Sequence, residues 1–167
     1  MSGSATTSTI YLCYGSVRGE AEVPGKVKKA PASGGWMKLA SCSLTAAMNY
    51  GERISTQVTG GGDVTPVQIT KLTDASSTGM FREALLGSFD KNAVITFMRS
   101  GTGDPQEYLR VELQGCGIVE FGIDSAGEER ATESFSIRYG RMTVISWRYD
   151  ASGQASAQGM AMIENVA

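Results

Sequence analysis

Apolar and polar residues alternate along most of the second half of the chain. Leu109, Val111 and Leu113 share one face of a predicted strand, and the positions between them are polar. The same period of two recurs over residues 118–124 and twice between residues 133 and 149, with glycine-containing turns between the runs. Because successive side chains of a strand point to opposite faces, this period is typical of half-buried strands. Evenly spaced strands with short turns predict a mainly β fold, a two-sheet antiparallel β-barrel or sandwich.

The first half of the chain contributes shorter β-prone runs. They cover residues 10–14, 36–48 and 67–72, and a further run over residues 93–99 leads into the second half. The run over residues 36–48 mixes large apolar residues with small polar ones. A strand of this composition suits a surface that faces another chain or a wide aqueous space.

Only one segment repeats its apolar residues at helical spacing. Met80, Phe81, Ala84 and Leu85 fall on one stripe, which predicts one flanking α-helix over about residues 75–87. Polar capping residues precede the stripe and a glycine follows it, as expected for the two ends of a helix. We expect the stripe to face the core.

A long extended loop is predicted over about residues 49–66. At about 18 residues it exceeds the usual connection of roughly 4–6 residues, and long loops in compact domains are commonly functional. Its three consecutive glycines, at positions 60–62, are not followed by the Lys and Ser or Thr of a phosphate-binding loop. We therefore do not expect a nucleotide site here.

The length of 167 residues predicts a single domain over residues 1–167. Residues 1–8 are rich in Ser and Thr and predict a flexible N-terminus, and residues 150–167 predict a weakly patterned C-terminal tail. No basic and apolar leader and no run of about 18 apolar residues is found in the sequence. We therefore expect neither membrane insertion nor export through a signal peptide.

The composition excludes several classes of chemistry. The chain has no histidine, which excludes Ser–His and Cys–His dyads and histidine-ligated metals. Its 15 Lys and Arg nearly balance 17 Asp and Glu, which argues against nucleic-acid binding. Cys13, Cys42 and Cys116 are far apart in sequence, which favours buried thiols over a zinc or redox motif. We expect no cofactor and no metal.

The acidic residues do not converge on a catalytic pattern. Glu112, Glu120 and Asp124 fall on different strands or at a strand end, and the run Glu128–Arg130 is typical of a solvated turn. A carboxylate pair for glycosidase chemistry would need two such groups on facing positions, and nothing in the sequence selects one. We therefore expect that the protein is not an enzyme.

The order and spacing of these elements resemble a known family. The most specific parts are the strand-to-helix join from Lys71 to Gly87 and the strand that begins Thr132-Glu-Ser-Phe-Ser136, and the strands over residues 94–99 and 108–113 also match. Over about residues 9–150 the chain resembles the haemolysin-coregulated protein (Hcp) family, which supplies the tube subunit of the bacterial type VI secretion system.

The resemblance implies a structural subunit of the inner tube of that system. In this family six copies form a ring, and the rings stack head to tail into a hollow tube. The implied partners are further copies of the chain, the spike protein at the tube tip, contractile sheath and baseplate proteins, and effector proteins in the lumen. The tube is itself secreted, so we expect the protein in the cytoplasm before firing and outside the cell afterwards.

Two segments are candidates for this role. The long loop is expected to contact a neighbouring or stacked ring, because it is long and carries isolated apolar residues; a loose surface loop is the alternative. Its candidate contact residues are Tyr50, Arg53, Ile54, Val58, Val64 and Pro66. The strand over residues 36–48 is the candidate for part of the lumen wall, and matching it to the family strand suggests that Cys42 points into the lumen.

Two other functions fit the same residues. A phage-like tail tube protein would share the architecture, and neighbouring genes would distinguish it. A monomeric β-barrel that binds a small apolar ligand would have an interior cavity and would remain a monomer, whereas a tube subunit would form a six-fold ring.

Overall fold

The computed structural model describes residues 7–23, 34–47, 63–100 and 103–164, which contain one α-helix and eleven β-strands. The strands are β1 (Thr7–Tyr14), β2 (Met37–Leu39), β3 (Ser41–Ser43), β4 (Ala46–Ala47), β5 (Asp63–Val64), β6 (Val67–Leu72), β7 (Lys91–Ser100), β8 (Gln106–Asp124), β9 (Thr132–Arg138), β10 (Arg141–Tyr149) and β11 (Ala155–Glu164). The helix α1 spans Ser77–Leu86. The predicted mainly β fold with one helix is confirmed.

Nine strands form one antiparallel sheet. Its order is β2-β1-β7-β8-β9-β6-β3, with β10 paired to β8 and β11 paired to β10. β2 and β3 lie at the ends of this order, although only Ala40 separates them in the chain. The ladder is therefore not closed into a barrel by hydrogen bonds, and the barrel alternative does not describe it.

β8 divides the sheet into two halves. Its first part, from Gln106 to Cys116, pairs with β7, and its second part, from Gly117 to Asp124, pairs with β9. The alternation of apolar residues predicted two separate strands here, whereas the structure has one strand of 19 residues. Both halves contribute to the same hydrophobic core.

The core confirms the inward faces that the period of two predicted. Val111 and Leu113 of β8 and Phe135 and Ile137 of β9 are almost fully buried. They belong to one cluster with residues of β1, β6 and β7, and α1 adds Met80. The Phe121 and Phe135 rings stack with their centroids 6.1 Å apart.

The helix packs less of its surface than its sequence predicts. Met80 is fully buried and Ala84 packs against the core, but Phe81 is 50% and Leu85 66% exposed. The prediction that the whole stripe faces the core is therefore wrong for Phe81 and Leu85. The buried face is narrow because a single helix covers only part of β8, and Phe81 reaches Phe121 edge-on at 5.8 Å between ring centroids.

A buried ion pair holds the start of the helix to the sheet. The Lys71 ammonium donates hydrogen bonds to Glu133 Oε1 at 2.7 Å and to Asp74 Oδ1 at 2.9 Å. Lys71 and Glu133 are fully buried, on neighbouring strands β6 and β9. Burial opposes ionisation of Asp74, but hydrogen bonds from Ser76 and Lys71 outweigh it and lower the pKa of Asp74. The charged network fixes the turn that leads into α1.

The C-terminal segment is more ordered than its sequence predicts. Residues 155–164 form β11, which pairs with β10 from Arg141 to Tyr149. At the other end of the chain Thr7 and Ser8 already belong to β1 and pair with Ser100 and Arg99. The small residues of β11 alternate weakly in hydropathy, and its position is set by pairing with β10 rather than by a buried face.

Candidate assembly surfaces

The base of the long loop is a two-stranded ribbon. β4 and β5 pair antiparallel, with Ala46 opposite Val64, and they lie outside the main sheet. The Thr65 hydroxyl donates a hydrogen bond to the Thr45 carbonyl at 2.9 Å, which extends the pairing by one position. β4 and β5 therefore lie side by side at the two ends of the long loop, which we call the arm.

The structure places only part of the predicted contact set. Val64 lies in β5, and Pro66 is half-buried in the short link between β5 and β6. Tyr50, Arg53, Ile54 and Val58 lie outside the described residues. Their contact with a neighbouring ring stays a prediction.

β3 presents two different faces. Cys42 pairs with Ile69 of β6 and packs against the core, whereas Ser41 and Ser43 are exposed on the other face. Burial raises the pKa of Cys42 to about 12. If this strand lines a lumen, Ser41 and Ser43 are the side chains that face it, and the Cys42 thiol is turned toward the core. The sequence alone did not show which residues of this strand face the core and which face away from it.

Large apolar side chains are exposed at several places on the described part of the chain. They are Leu72, Phe81, Leu85, Leu86, Phe89, Val119, Ile123, Met160 and Met162. Leu85 and Leu86 at the end of α1 are 66% and 78% exposed. Exposed apolar residues that gather in one region mark surfaces which contact another protein. The alternation pattern foresaw Val119 and Ile123 as apolar, but it could not show that they lie outside the core.

β11 is an edge strand of the main sheet. It pairs with β10 on one side, and no other described strand pairs with it. Met160 and Met162 point to the same face, and they are 62% and 58% exposed. A long edge strand offers a row of backbone donors and acceptors to a further strand. This edge is therefore suited to pairing with another polypeptide.

A second charged cluster lies inside the sheet. The Arg110 guanidinium donates to Glu112 Oε1 at 2.9 Å and to Glu107 Oε2 at 3.3 Å, and the Thr96 hydroxyl donates to the same Glu107 oxygen. Arg110 and Glu107 are almost fully buried. Alternation predicted Arg110 and Glu112 on a polar face, and three charges within six residues of one strand are the only sequence signal of the cluster. These charges are therefore paired with one another inside the sheet.

The described residues contain no cluster of three or more Cys, Asp or Glu side chains that would hold a metal ion. Cys13 and Cys116 are buried thiols. Burial raises the pKa of both, that of Cys116 to about 12. Within the ranges that the structure covers, no helix has the length and apolar character needed to cross a bilayer.

Comparison with known proteins agrees with the fold. No protein of curated function matches the chain. The structure titled "Structure of a type six secretion system protein" superposes with a TM-score of 0.72 at 16% sequence identity, covering 95% of this chain and 96% of that one. Hcp1 from Salmonella typhimurium gives a TM-score of 0.65 at 13% identity, with 94% of each chain covered.

A third solved structure is similar over its full length. Secreted protein Hcp3 from Pseudomonas aeruginosa gives a TM-score of 0.64 at 15% identity, covering 96% of this chain and 100% of that one. At these identities the likeness shows the fold. The sequence itself matches the family model described as "Type VI secretion system effector, Hcp" over residues 11–149, which is most of the chain. This chain therefore belongs to the Hcp family of type VI secretion system proteins.

Proposed function

We propose that this chain is the subunit of the inner tube of a type VI secretion system. Six copies form a ring, and the rings stack head to tail around a continuous lumen. The match to the Hcp family over residues 11–149 is the observation that carries this proposal. The exposed apolar residues and the unpaired edge of β11 support it, because both are features that contact with further copies would cover.

The arm is our candidate for contact between subunits. Its two ends are joined by the β4–β5 ribbon, which pairs Ala46 with Val64 and Ala47 with Asp63. The proposed contact residues are Tyr50, Arg53, Ile54, Val58, Val64 and Pro66. Deleting residues 55–62 leaves β5 in place, and we expect that deletion to weaken ring formation or stacking in sedimentation velocity. A variant that sediments as the intact chain does would exclude the arm from assembly.

We propose that β3 contributes to the lumen wall through Ser41 and Ser43. Both are small, polar and exposed, and the Ser41 hydroxyl is within hydrogen-bond distance of Thr70 Oγ1, 2.5 Å away. A wall of small hydroxyls offers no strong site to a passing effector protein. Effectors would therefore travel in the lumen without being held by this strand.

The remaining partners follow from the same proposal. A spike protein would cap the tube, a contractile sheath and a baseplate would surround it, and effectors would occupy the lumen. The protein would reside in the cytoplasm before firing and outside the cell afterwards. Its role would be structural rather than enzymatic, as the match to the Hcp family implies.

The packed interior favours this function over a monomeric ligand-binding barrel. Bulky side chains fill the space between the two halves of the sheet, among them Tyr14, Met37, Met80 and Phe135, each at most 2% exposed. A barrel that binds a small apolar ligand needs an interior volume of its own. This core is instead occupied by the side chains of the chain itself.

Negative-stain electron microscopy of the purified full chain tests the proposal directly. We expect ring-shaped particles with six-fold symmetry, and short stacks of rings at higher concentration. Sedimentation velocity on the same sample gives the mass of the assembly. Particles with the mass of one chain at every concentration, with or without a spike protein, would refute a tube function.

A further inference from the structure

A basic cleft lies between α1 and the turn that follows β1. It has a volume of about 580 Å³, and three cations line it: Arg18, Arg82 and Lys91. Lys91 pairs with Asp90 at 3.2 Å. Neither Arg18 nor Arg82 forms an ion pair or hydrogen bond with another residue in the described ranges, and both side chains are exposed. The cleft therefore holds two guanidinium groups without partners.

The chemistry of the cleft suits contact with another protein. Leu86, which is 78% exposed, also lines it. Its one carboxylate belongs to Glu83, whose Oε2 atom is buried and does not accept a hydrogen bond from the described residues. Exposed arginines beside an exposed aliphatic residue fit an acidic segment that brings an apolar residue with it.

The chain carries such a segment in the turn between β8 and β9. This acidic turn, taken together with Asp124 at the end of β8, spans residues 124–130 and contains Asp124, Glu128 and Glu129, all exposed. None of the three carboxylates pairs with a cation of the described chain. Ile123, which precedes the turn, is 52% exposed. The turn is held in place where the Thr73 N–H donates to the Ala131 carbonyl at 2.9 Å.

The acidic turn does not occupy the basic cleft of its own chain. Arg130 of the turn lines a different cavity, beside Lys38, Leu72 and Asp74. The two cavities share no lining residue. Each surface is thus available to a different molecule.

We propose that the basic cleft of one copy receives the acidic turn of a neighbouring copy. This inference rests on the proposed self-assembly and names the charged surfaces that make one of its contacts. A contact between two different patches of the same chain is heterologous, which is the type that repeats around a ring or along a stack. Because both halves lie on one sequence, the second copy is favoured over an unrelated acidic protein.

Opposed charges at this contact would set its register more than its strength. Complementary patches guide two proteins into one orientation and reject others in which like charges meet. Charges that remain near solvent are screened over about 8–10 Å at physiological salt. We therefore expect association of the wild-type chain to weaken as the salt concentration rises.

Charge reversal on the full-length chain tests this contact. One variant reverses the cleft, Arg18→Glu/Arg82→Glu, and the other reverses the turn, Glu128→Arg/Glu129→Arg. We expect each alone to associate at least about ten-fold more weakly than wild type in sedimentation velocity, because like charges then face each other. An equimolar mixture of the two, and the chain that carries all four changes, should regain most of the wild-type association.

A matched control separates this effect from net charge. Arg138→Glu/Arg148→Glu changes the charge by the same amount as the cleft variant, at exposed positions on β9 and β10 outside both surfaces. We expect it to associate like wild type. Circular dichroism melts should be unchanged for all variants, since each substitution is at an exposed site.

Each other outcome is decisive. If the wild type forms rings and the reversed variants do so equally well, the inference is wrong and the tube function stands. If the control is as impaired as the cleft variant, or if the mixture and the fourfold variant do not recover, the cleft and the turn are not partners. If only the cleft variants are impaired, another acidic surface occupies the cleft. A wild-type chain that stays monomeric would overturn the inference and the proposed function together.

Discussion

Cys42 lies in the middle of β3, between two exposed serines. Its side chain packs against the core, and burial raises its pKa to about 12. Only the thiolate form attacks thiol reagents. At neutral pH a thiol in this position stays protonated. Its burial, rather than the mere presence of a cysteine, therefore controls its reactivity.

We predict a large difference in reactivity between the two faces of β3. An exposed thiol introduced by Ser43→Cys should react with N-ethylmaleimide at pH 8 far faster than Cys42, since a pKa near 12 instead of 9.0 lowers the thiolate fraction roughly 1,000-fold. Labelling should be followed by mass spectrometry of the two peptides, with the urea-unfolded chain as the control in which both react. Equal labelling rates in the folded chain would contradict the orientation of Cys42.

Lys71 and Glu133 are charged groups with no exposure to solvent. They are 62 residues apart in sequence, and they meet because β6 and β9 pair with Lys71 directly opposite Glu133. Removing two charges from water costs free energy that their mutual attraction must offset. The second oxygen of Glu133 is buried and accepts no hydrogen bond from the described residues.

Breaking this pair should destabilise the protein strongly. We expect Lys71→Met to lower the free energy of unfolding by about 3–5 kcal/mol, because Glu133 is then left buried without a counter-charge. The double variant Lys71→Met/Glu133→Leu should lose less than this single change. The exposed pair of Arg141 with Glu164 provides the control, since Arg141→Met should cost under about 1 kcal/mol. Urea unfolding measures the stability of all three variants. If Lys71→Met left the free energy of unfolding unchanged, the pair would have no structural role.

The sequence could indicate which residues are apolar and which are charged, but not which charges are buried. Alternation placed Phe135, Ile137 and Tyr139 on the inner face correctly. It gave no sign that Lys71 and Glu133 share that interior. The strand order decides which distant residues meet, and one chain's local pattern contains little information about strand order.

β8 shows the same limit for a whole element. The sequence divides it at Gly115, Cys116 and Gly117, where the alternation is interrupted. The structure continues the strand through this point, with Gly115 at φ 63° and the Phe89 ring lying over Gly117. The Gly140 N–H donates to the Gln114 carbonyl at 2.9 Å, which ties the turn between β9 and β10 to β8 at the change of direction. The glycines mark a bend rather than an end.

The bend predicts an asymmetry between two glycines of β8. Gly115 has a left-handed backbone, and an added Cβ would lie 3.7 Å from its nearest neighbour, which is an ordinary contact distance. Gly115→Ala should therefore cost about 1–2 kcal/mol through backbone strain alone. Gly122→Ala on the same strand meets its nearest atom at 3.9 Å with ordinary backbone angles. That control should be neutral or stabilising by up to about 1 kcal/mol. Chemical unfolding compares them, and equal stabilities would mean that Gly115 is not required by the bend.

The helix and the C-terminal strand differ in how far the sequence reveals them. The spacing of apolar residues located α1 to within two residues at its start and one at its end. The same spacing could not show that Leu85 faces outward, because a helix that covers only part of β8 buries only part of its stripe. β11 has almost no pattern of its own, since an edge strand with both faces exposed needs none.

At the scale of the whole molecule, the main feature that the fold of one chain does not explain is its exposed apolar residues. The core is complete, yet nine large apolar side chains of the described chain remain at the surface. Burying them costs the protein nothing further in its own fold and gains about 25 cal/mol per Å² of apolar area removed from water. In the proposed tube, association of copies would cover these side chains. A single chain's sequence cannot show this, because the partner surface depends on the shape of the folded molecule.

The face of β11 gives this argument its sharpest test. Met160 and Met162 lie on one face of an edge strand, so a neighbour that pairs with this edge would also cover them. Met160→Lys/Met162→Lys should leave the melting temperature within about 2 °C of wild type, because exposed substitutions change stability little. It should nevertheless abolish rings in sedimentation velocity, since two ammonium groups would have to be buried or repelled at the contact. Ser156→Lys/Gln158→Lys adds the same charge to the same strand, nearer its start. If the serine and glutamine variant forms rings and the methionine variant does not, the contact lies at the methionines. If both variants form rings, β11 lies on the free surface of the tube.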